Sequence, residues 1–458
     1  MGFSMVALNV PQSIIQKSFV VSFSHFGVHL TQSSLSVIWS VTVACQALGA
    51  LVGCLFVASV EANYGVKNGI MVVANAVLLA GSLLSSLSAF LPFAPFLIIG
   101  RLLVGVHTGL VCALVPLFVQ QIAPKKIKGS ISCFLHISAS FGAAMGAILS
   151  LEFMLGGEDT WGFLLLLPSA IAVIEMMAAY WMPDTPNHLL QRGSYSEAIK
   201  SIVFYYDVTR TFNEDEDYVL HYYDAVTELP PQSPFWTVVR RPESLKGILL
   251  GCVVSATQVF SGSMATISYS SSMFSAVSFM DILVPFLPAI GSIISIVLTI
   301  PALQLVESRG RRPILLNTLL ICILADIFLL VFSLLSLENW WASWAFGIAF
   351  LAYGIGYNMG TGPLAYFIPA ELVPPDAVTV SLGAAVATNW ICSSLTTIFF
   401  YPLFVASGGW SYLMFIVPTS ILTFILWLFL PETKFQDPLE RRLYRDLGPI
   451  YGSLSETT

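Results

Sequence analysis

The sequence predicts an all-α, multi-pass membrane protein made of two related halves. Of its 458 residues, 56% are hydrophobic and only 10% are charged, whereas soluble domains carry about 25% charged residues. A soluble core of this size would need far more polar surface to cover it, but a lipid bilayer can meet an apolar outer face directly. Eleven apolar stretches reach the length of roughly 20 residues that a spanning helix needs.

The eleven predicted spans form two groups, separated by one long polar insert. They cover approximately residues 35–59, 69–91, 96–119, 129–150, 162–182, 247–273, 279–306, 314–336, 342–368, 377–404 and 410–430. The segment from Met1 to Val10 is apolar but too short to cross, and we interpret it as the back half of a twelfth helix whose front is missing. The predicted organisation is a first bundle at 1–183, a cytoplasmic linker at 184–245, a second bundle at 246–434 and a cytoplasmic tail at 435–458.

The distribution of positive charge predicts the orientation. Alternating spans leave only Lys17 and Arg101, of 19 Lys and Arg residues, on or near one side. Because cytoplasmic loops carry the excess of Lys and Arg, the linker and the C-terminal tail are predicted to be cytoplasmic. The loop at 151–161, which is acidic, is predicted to be on the outer side, and the expected location is the plasma membrane.

An internal repeat supports the division into halves. Three short motifs of the first half return in the second at an offset of 246 to 250 residues. The pairs are Glu61 before Gly65 with Glu307 before Gly310, Gln121 before Pro124 with Glu371 before Pro374, and Pro183-Asp184-Thr185 with Pro431-Glu432-Thr433. Three matches at nearly one offset carry more weight than any one of them alone.

Composition and motif content exclude several classes of function. No basic patch interleaved with aromatic residues is present, which argues against nucleic-acid binding. The seven cysteines lie inside apolar runs without the paired spacing of a disulfide framework or a zinc site. No nucleophile–base set is recognisable, so we expect no enzymatic activity, metal or cofactor. We interpret the acidic run at 214–217 in the linker as a solvated face, with a regulatory partner site as the alternative.

Polar side chains recur at helical spacing inside the predicted spans, where they are costly unless they face protein or water. The stripes are Ser255, Gln258, Ser261, Gly262, Thr266 and Tyr269; Ser132, His136 and Ser140; Ser292, Ser295 and Thr299; Asn358, Gly362 and Tyr366; and Asn389, Ser393 and Thr397. Close packing between helices can account for Ser and Thr. The side chains of Gln258, His136 and Asn389 need several partners, which a water-filled cavity would supply. Neutral donors and acceptors of this kind suit a neutral, hydroxyl-rich solute.

Two further features of the spans leave alternatives open. The stretch at 354–363 is rich in glycine and ends in proline, which predicts a locally broken helix beside a cavity. Glu175 and Asp326 are acids within spans, and an intramembrane acid can couple transport to protons. For Glu175 the alternative is a side chain that reaches the inner interface.

Several motifs resemble the signatures of one family. They are Gly100-Arg101-Leu102-Leu103-Val104-Gly105-Val106, Pro183-Asp184-Thr185-Pro186, Glu307-Ser308-Arg309-Gly310-Arg311-Arg312 and Leu430-Pro431-Glu432-Thr433-Lys434. This set resembles the sugar porters of the major facilitator superfamily, and Asn9-Val10-Pro11-Gln12 with Gln258-Val259-Phe260-Ser261-Gly262 narrows the resemblance to facilitative glucose transporters. It runs from the first residues to about Lys434 and implies the major facilitator fold, in which two six-helix bundles rock around a central sugar site.

The resemblance also implies roles for individual residues. Gln258, Asn389 and Trp390 match sugar-contacting residues of the family. Four other positions of the family's sugar site carry different residues here, where Gln, Asn, Glu and Trp are replaced by His136, Ser295, Asn358 and Tyr366. These seven residues are the predicted substrate-binding set.

A second set implied by the resemblance lies on the predicted cytoplasmic side. Glu307, Arg311 and Arg312 match the family's loop motif, and Glu371 matches a Glu of its inner charge network. The loop motif of the first half departs from the pattern, because it reads Gly65-Val66-Lys67 where Gly-Arg-Arg is usual.

The leading hypothesis is a non-enzymatic, facilitative carrier of a hexose or related polyhydroxylated solute. The expected partners are a small neutral solute and the lipid bilayer, and no nucleic acid. The alternative is a receptor or sensor that kept the fold and lost transport, because several motif residues are altered. A carrier of organic ions would need a charged cavity residue, and His136 is the one candidate in the sequence.

Overall fold

The protein is described here by a computed structural model, which covers residues 1–25, 27, 30–91, 93–122, 128–206, 235–277 and 283–433. The first half contains α1 (Gly2–Val6), α2 (Gln12–His25), α3 (Gln32–Tyr64), α4 (Val66–Asn68), α5 (Asn75–Phe90), α6 (Ala94–Ile122), α7 (Lys128–Leu149) and α8 (Trp161–Ala178). A π-helical stretch, Gly69–Ala74, joins α4 to α5, so these two helices form one continuous rod.

The linker and the second half are helical as well. The linker contributes α9 (Pro186–Gln191), α10 (Tyr195–Tyr206) and α11 (Phe235–Arg240). The second half contains α12 (Pro242–Gln258), α13 (Met264–Ala276), α14 (Leu287–Arg309), α15 (Arg311–Leu335), α16 (Trp340–Gly356), α17 (Gly362–Leu364), α18 (Ile368–Glu371), α19 (Val378–Ser407) and α20 (Leu413–Phe429). Two π-helical turns, Val259–Ser263 and Tyr357–Thr361, interrupt the rods α12–α13 and α16–α17.

Each of the eleven predicted spans is mainly helical over its described residues. Within the described residues, seven helical runs are long and apolar enough to cross a membrane, and the run at 378–429 passes through both α19 and α20. Shorter apolar helices occupy Phe134–Leu149 and Val284–Thr299, inside two other predicted spans. The second bundle begins at Pro242, four residues before the predicted boundary, because Pro at the first turn starts a helix without losing a hydrogen bond.

The short helix α1 near the N-terminus packs closely against another helix of the first half. Helix α1 lies against α7, where a Cβ on Gly2 would overlap the carbonyl of Ala139, and where a Cβ on Gly146 would lie 2.7 Å from the carbonyl of Phe3. The chain then turns through 7–11 and enters α2. Helix α2 was not among the predicted spans, because Gln12, Gln16 and Lys17 make that segment too polar for a spanning helix.

The two ends of the molecule differ in how the halves meet. We call the end that carries α9–α11 the linker end and the other the opposite end. Near the opposite end one apolar cluster joins both halves. From the first half it includes Ile15, Phe19, Trp39 and Trp161, and from the second half Tyr269, Phe274, Phe400, Phe404 and Tyr412.

Hydrogen bonds reinforce the contact near the opposite end. The Asn9 amide donates to the hydroxyl of Ser270 at 2.9 Å and to the carbonyl of Ile267 at 3.3 Å. The Gln12 amide donates to the Tyr401 hydroxyl at 3.1 Å. All three partners belong to the second half, so Asn9 and Gln12 connect the two halves near this end.

Both described parts of the linker are bonded to the helical bundles. The Tyr205 hydroxyl donates to the carbonyl of Pro183 at 2.8 Å, and the Ser201 hydroxyl donates to the carbonyl of Asp184 at 2.5 Å. At the other side, the Arg241 guanidinium pairs with the Asp376 carboxylate at 2.5 Å. Helix α10 therefore docks on the first half, and α11 with its neighbour Arg241 docks on the second.

The predicted internal repeat has a physical counterpart at the linker end. Gly65 and Gly310 both adopt φ near +80° to +91° with extended ψ, a backbone conformation that is essentially restricted to glycine. A Cβ on Gly65 would overlap the Asp184 carboxylate, and a Cβ on Gly310 would lie 2.7 Å from a carboxylate oxygen of Glu432. In each half an acid that follows the last helix therefore packs against a glycine, which lies between α3 and α4 in the first half and between α14 and α15 in the second.

We expect the substitution Gly310→Ala to lower the free energy of unfolding by about 3 kcal/mol, the sum of backbone strain and a clash with Glu432. Gly193→Ala is the matched control, because Gly193 also has a positive φ of 75° but a Cβ there would meet nothing within 4 Å. Its expected cost is the strain alone, about 1–2 kcal/mol. Thermal unfolding of the purified proteins in detergent measures both. Equal losses in the two variants would contradict the packing role of Gly310.

Candidate functional site

A cavity of about 200 Å³ lies between the two halves. Its wall is formed by α1, α6 and α7 of the first half and by α12–α14, α16, the turn at 357–361 and α19 of the second. It continues toward the linker end, where Pro116, Pro369, Leu382 and Val386 line it. Among the described residues, no Asp, Glu, Lys or Arg side chain belongs to the wall.

All seven residues of the predicted substrate-binding set line this one cavity. They are His136, Gln258, Ser295, Asn358, Tyr366, Asn389 and Trp390. They come from five separate stretches of sequence. Helical spacing could place each residue on a face of its own helix, and the fold brings these faces together. Their role in binding stays a prediction.

Gln258 lies at the centre of a hydrogen-bonded group on the second-half wall. Its amide nitrogen donates to the Gly362 carbonyl at 2.9 Å, and its amide oxygen accepts from Asn389 at 2.7 Å. The Ser261 and Ser263 hydroxyls, both in the π turn, donate to the Gln258 main-chain carbonyl at 2.8 Å. Hydrogen bonds therefore hold both the backbone and the side chain of Gln258.

The same turn redirects part of the predicted stripe on this helix. Ser255, Gln258 and Thr266 line the cavity. Ser261 and Gly262 do not, because Gly262 has φ +95° and interrupts the helical phase. A Cβ on Gly262 would lie 3.6 Å from Asp326, on the side away from the cavity.

Trp390 connects the second-half wall to the first half. It is buried and packs in one apolar cluster with Ala47 and Ala50 of α3 and Cys112 of α6. Its ring therefore forms part of the interface across which the halves would have to move.

A second hydrogen-bonded group crosses the cavity. His136 Nε2 lies 3.0 Å from Asn358 Oδ1, and the Ser295 hydroxyl donates to the same oxygen at 2.5 Å. The Ser140 and Ser295 hydroxyls are 2.9 Å apart. His136 and Ser140 belong to α7, and the other two belong to the second half, so this group bridges the halves beside the space for a ligand.

Aromatic rings complete the wall around His136. Its ring centroid lies 6.0 Å from that of Tyr357 and 6.4 Å from that of Tyr366. Tyr357, like Tyr353, was not among the predicted site residues. In a regular helix the neighbours Tyr357 and Asn358 would point in clearly different directions. The π turn at 357–361 widens the helix and allows both to reach the cavity, and the glycines at 354–362 were the one sequence signal for it.

The two intramembrane acids lie away from the cavity. Asp326 is buried inside the second half and does not line the wall. Glu175 accepts a hydrogen bond from the Asn75 amide at 2.8 Å. Arg101, also buried, donates to the Ser4 carbonyl at 2.5 Å and so fixes α1 to α6.

The predicted loop-motif residues form a polar network at the linker end. The Arg311 guanidinium lies 3.4 Å from the Glu371 carboxylate, whose other oxygen accepts from the Thr433 hydroxyl at 2.5 Å. The main-chain N–H groups of Arg311 and Arg312 donate to Glu432 at 2.9 and 3.2 Å. An acid at a helix N-terminus is stabilised by the unpaired N–H groups and the helix dipole. Glu307 belongs to α14, but its side chain lies outside the described residues.

The corresponding place in the first half is held differently. The Lys67 ammonium donates to the carbonyls of Ala179 and Met182 at 3.1 and 2.9 Å. Lys67 follows Gly65 by two residues, as Arg312 follows Gly310, and Arg312 likewise donates to a main-chain carbonyl, that of Trp427, at 2.7 Å. The first half has Val66 at the position of Arg311, so the difference between the halves lies in the arginine–carboxylate pair.

Glu371 gives the linker end a predictable pH dependence. Burial raises the pKa of Glu371, and the Thr433 hydrogen bond and the nearby Arg311 only partly oppose this effect. A raised pKa in the folded state means that the contribution of Glu371 to stability is present at low pH and is lost as the pH rises through the folded-state pKa. We expect the melting temperature of the wild type to rise relative to that of Glu371→Gln as the pH falls from 7.5 toward 4.5, the ordinary value for Glu. A constant difference across that range would contradict this assignment.

Two helical bundles with a cavity between them are the arrangement of membrane carriers that bind their substrate between two halves. Residues 1–441 match the family model described as "Sugar (and other) transporter". The chain belongs to this family, whose members are carriers and not enzymes.

Curated relatives agree with the family assignment. The chain is 25% identical over 445 residues to the rat solute carrier family 2, facilitated glucose transporter member 3, which covers 94% of this chain and 87% of that protein. It is 27% identical over 411 residues to the mouse member 2, which covers 87% of this chain and 76% of that protein.

Solved structures show the same fold. The proton:xylose symporter XylE bound to 6-bromo-6-deoxy-D-glucose superposes with a TM-score of 0.76 at 18% identity, covering 94% of this chain and 93% of that one. An inward-open conformation of the xylose transporter XylE from E. coli gives a TM-score of 0.73 at 17% identity, covering 96% and 97%. These similarities confirm the predicted major facilitator fold.

Proposed function

We propose that this protein is a facilitative carrier of a hexose or a related polyhydroxylated solute, and that it works by alternating access. The observation that carries the proposal is the central cavity, whose described wall offers neutral hydrogen-bond donors and acceptors from both halves. Small-molecule sites typically combine an apolar wall with a few placed polar groups. Hydroxyls of a sugar can both donate and accept, which suits the amides of Gln258 and Asn389.

The contacts at the two ends support a transport cycle. The halves are joined near the opposite end by the aromatic cluster and by Asn9 and Gln12, while the cavity wall extends toward the linker end. Opening to the other side would require these contacts to separate. We place the linker and the tail in the cytoplasm of a plasma-membrane protein, so that this conformation faces inward.

Uniport is proposed rather than proton symport. An ion-coupled carrier of this kind needs a titratable acid that communicates with the substrate. Neither Glu175 nor Asp326 lines the cavity, and Glu175 is already bonded to Asn75. The structural relative XylE is described as a proton symporter, so coupling has to be tested directly.

The test is transport by purified protein in proteoliposomes. We expect saturable counterflow of at least one D-hexose, no flux of its L-enantiomer, and no acceleration by an imposed proton gradient. Absence of stereospecific flux for every hexose and polyol would overturn the carrier proposal. Acceleration by an inward proton gradient would replace uniport by symport.

The alternative of a transport-inactive receptor rests on one structural difference. The second half has the Arg311–Glu371 pair, whereas Val66 and Gln121 stand at the corresponding positions of the first half, so the two linker-end networks are unequal. A receptor would bind a sugar measurably but give no counterflow, and saturable exchange excludes it.

A further inference from the structure

The hydrogen bonds around Asn358 have a fixed direction. The Asn358 amide nitrogen donates to the Gly354 carbonyl at 2.7 Å, and this carbonyl can only accept. The amide oxygen therefore faces His136 and Ser295, at 3.0 and 2.5 Å. Because a carbonyl oxygen can only accept, both neighbours must donate to it.

This direction determines which ring nitrogen of His136 carries the proton. A neutral imidazole has one N–H donor and one acceptor nitrogen. Since Nε2 must donate to Asn358, Nδ1 is the acceptor. The neutral form is favoured because no carboxylate belongs to the described cavity wall to balance an imidazolium.

The acceptor nitrogen is left for a ligand. The described structure gives His136 Nδ1 no protein hydrogen bond, and the atom is not among the fully enclosed polar atoms that lack one. The ring itself lines the cavity. One edge of the ring, with Cε1 and Nε2, lies against Gly362, where a Cβ would come within 2.8 Å of Cε1.

We propose that His136 is a specificity-determining residue, which Asn358 holds as the Nε2–H tautomer so that Nδ1 accepts a hydrogen bond from one hydroxyl of the substrate. The inference rests on the proposed function and adds a chemical rule to it. Glutamine, the usual family residue at this position, could both donate and accept. Locked histidine can only accept, so the substrate must present a hydroxyl hydrogen at this point.

The first test uses D-glucose and its analogues in which one hydroxyl at a time is replaced by hydrogen or by fluorine. Neither replacement can donate a hydrogen bond. At one ring position we expect both analogues to bind about tenfold more weakly than D-glucose to the wild type, because a hydrogen bond contributes about 1 kcal/mol or more. In His136→Phe this penalty should disappear at that position and persist at the others. A penalty that is unchanged in His136→Phe would overturn the proposal.

The second test determines the tautomer of His136 in the absence of substrate. Nitrogen-15 NMR of histidine-labelled protein in lipid distinguishes a protonated ring nitrogen from an unprotonated one, and His136→Gln assigns the signal. We expect protonated Nε2 and unprotonated Nδ1 in the wild type and in Ser140→Ala, and a mixture of tautomers in Asn358→Leu. Protonated Nδ1 in the wild type would overturn the proposal. The expected tautomer without binding of D-glucose would instead count against the hexose assignment, so the two failures can be told apart.

Discussion

Replacing Gln258 by Ala is expected to weaken sugar binding by roughly 10- to 100-fold. The Gln258 side chain joins the Gly362 carbonyl to the Asn389 amide, at 2.9 and 2.7 Å. Its removal leaves both groups without this partner, and an unsatisfied buried polar group costs about 1–3 kcal/mol. Loss of the groups that position Asn389 then adds to the loss of any direct contact with the ligand. Binding of a D-hexose to purified protein, followed by calorimetry or tryptophan fluorescence, measures the effect.

The control for this prediction is Gln46→Ala. Gln46 is also a buried glutamine, with its amide 3.4 Å from the Thr108 hydroxyl, but it does not line the central cavity. We expect the two variants to lose similar thermal stability, while affinity falls in Gln258→Ala alone. Unchanged affinity in Gln258→Ala would count directly against the site, and equal losses of affinity in both would indicate a general effect on folding.

Hydropathy was sufficient to place the long helices, because each must present an apolar surface toward the membrane. It failed for α2 (Gln12–His25), which carries Gln12, Gln16 and Lys17 and is held by specific contacts such as Gln12 with Tyr401. Segments of this kind depend on tertiary partners that a local pattern does not contain. The linker helix α10 was not predicted for the same reason, since it docks through Ser201 and Tyr205.

Helical spacing predicted which side chains share a face where the helices are regular, and it failed where they are not. His136 and Ser140, four residues apart on α7, both reach the cavity as their spacing predicts. Ser261 shares a predicted stripe with Gln258 but does not line the cavity, because the turn at 259–263 breaks the helical phase. The pairing of His136 with Asn358 joins residues 222 positions apart, and no spacing rule could have supplied it.

The repeat was predicted from three weak matches, and the structure explains why they persist. Gly65 and Gly310 have the same backbone conformation, and each lies beside an acidic side chain. Both halves therefore form this tight turn in the same way. The two halves differ in the charged partners around that turn, because Val66 stands where the second half has Arg311. Sequence symmetry thus predicted the backbone well and the electrostatics only in part.

The close packing of α3 against α6 predicts a large effect on folding. Helices α3 and α6 cross where glycines lie four apart on each, Gly49 and Gly53 on one and Gly105 and Gly109 on the other. A Cβ on Gly109 would overlap the carbonyl of Ala50, and each of the other three would overlap main-chain atoms of the facing helix. Small residues at this spacing allow membrane helices to approach closely.

Gly109→Ala is therefore expected to destabilise the protein by about 4 kcal/mol or more, at the extreme of single substitutions. The clash is with main-chain atoms, so no side-chain rotation relieves it and the two helices must separate. Gly383→Ala is the matched control, because Gly383 lies within α19 and a Cβ there meets nothing within 4 Å. That change should be neutral or stabilise by about 0.5–1 kcal/mol, since alanine favours a helix over glycine. Yield of monodisperse protein and melting temperature in detergent measure both, and a wild-type melting temperature for Gly109→Ala would contradict the close crossing of α3 and α6.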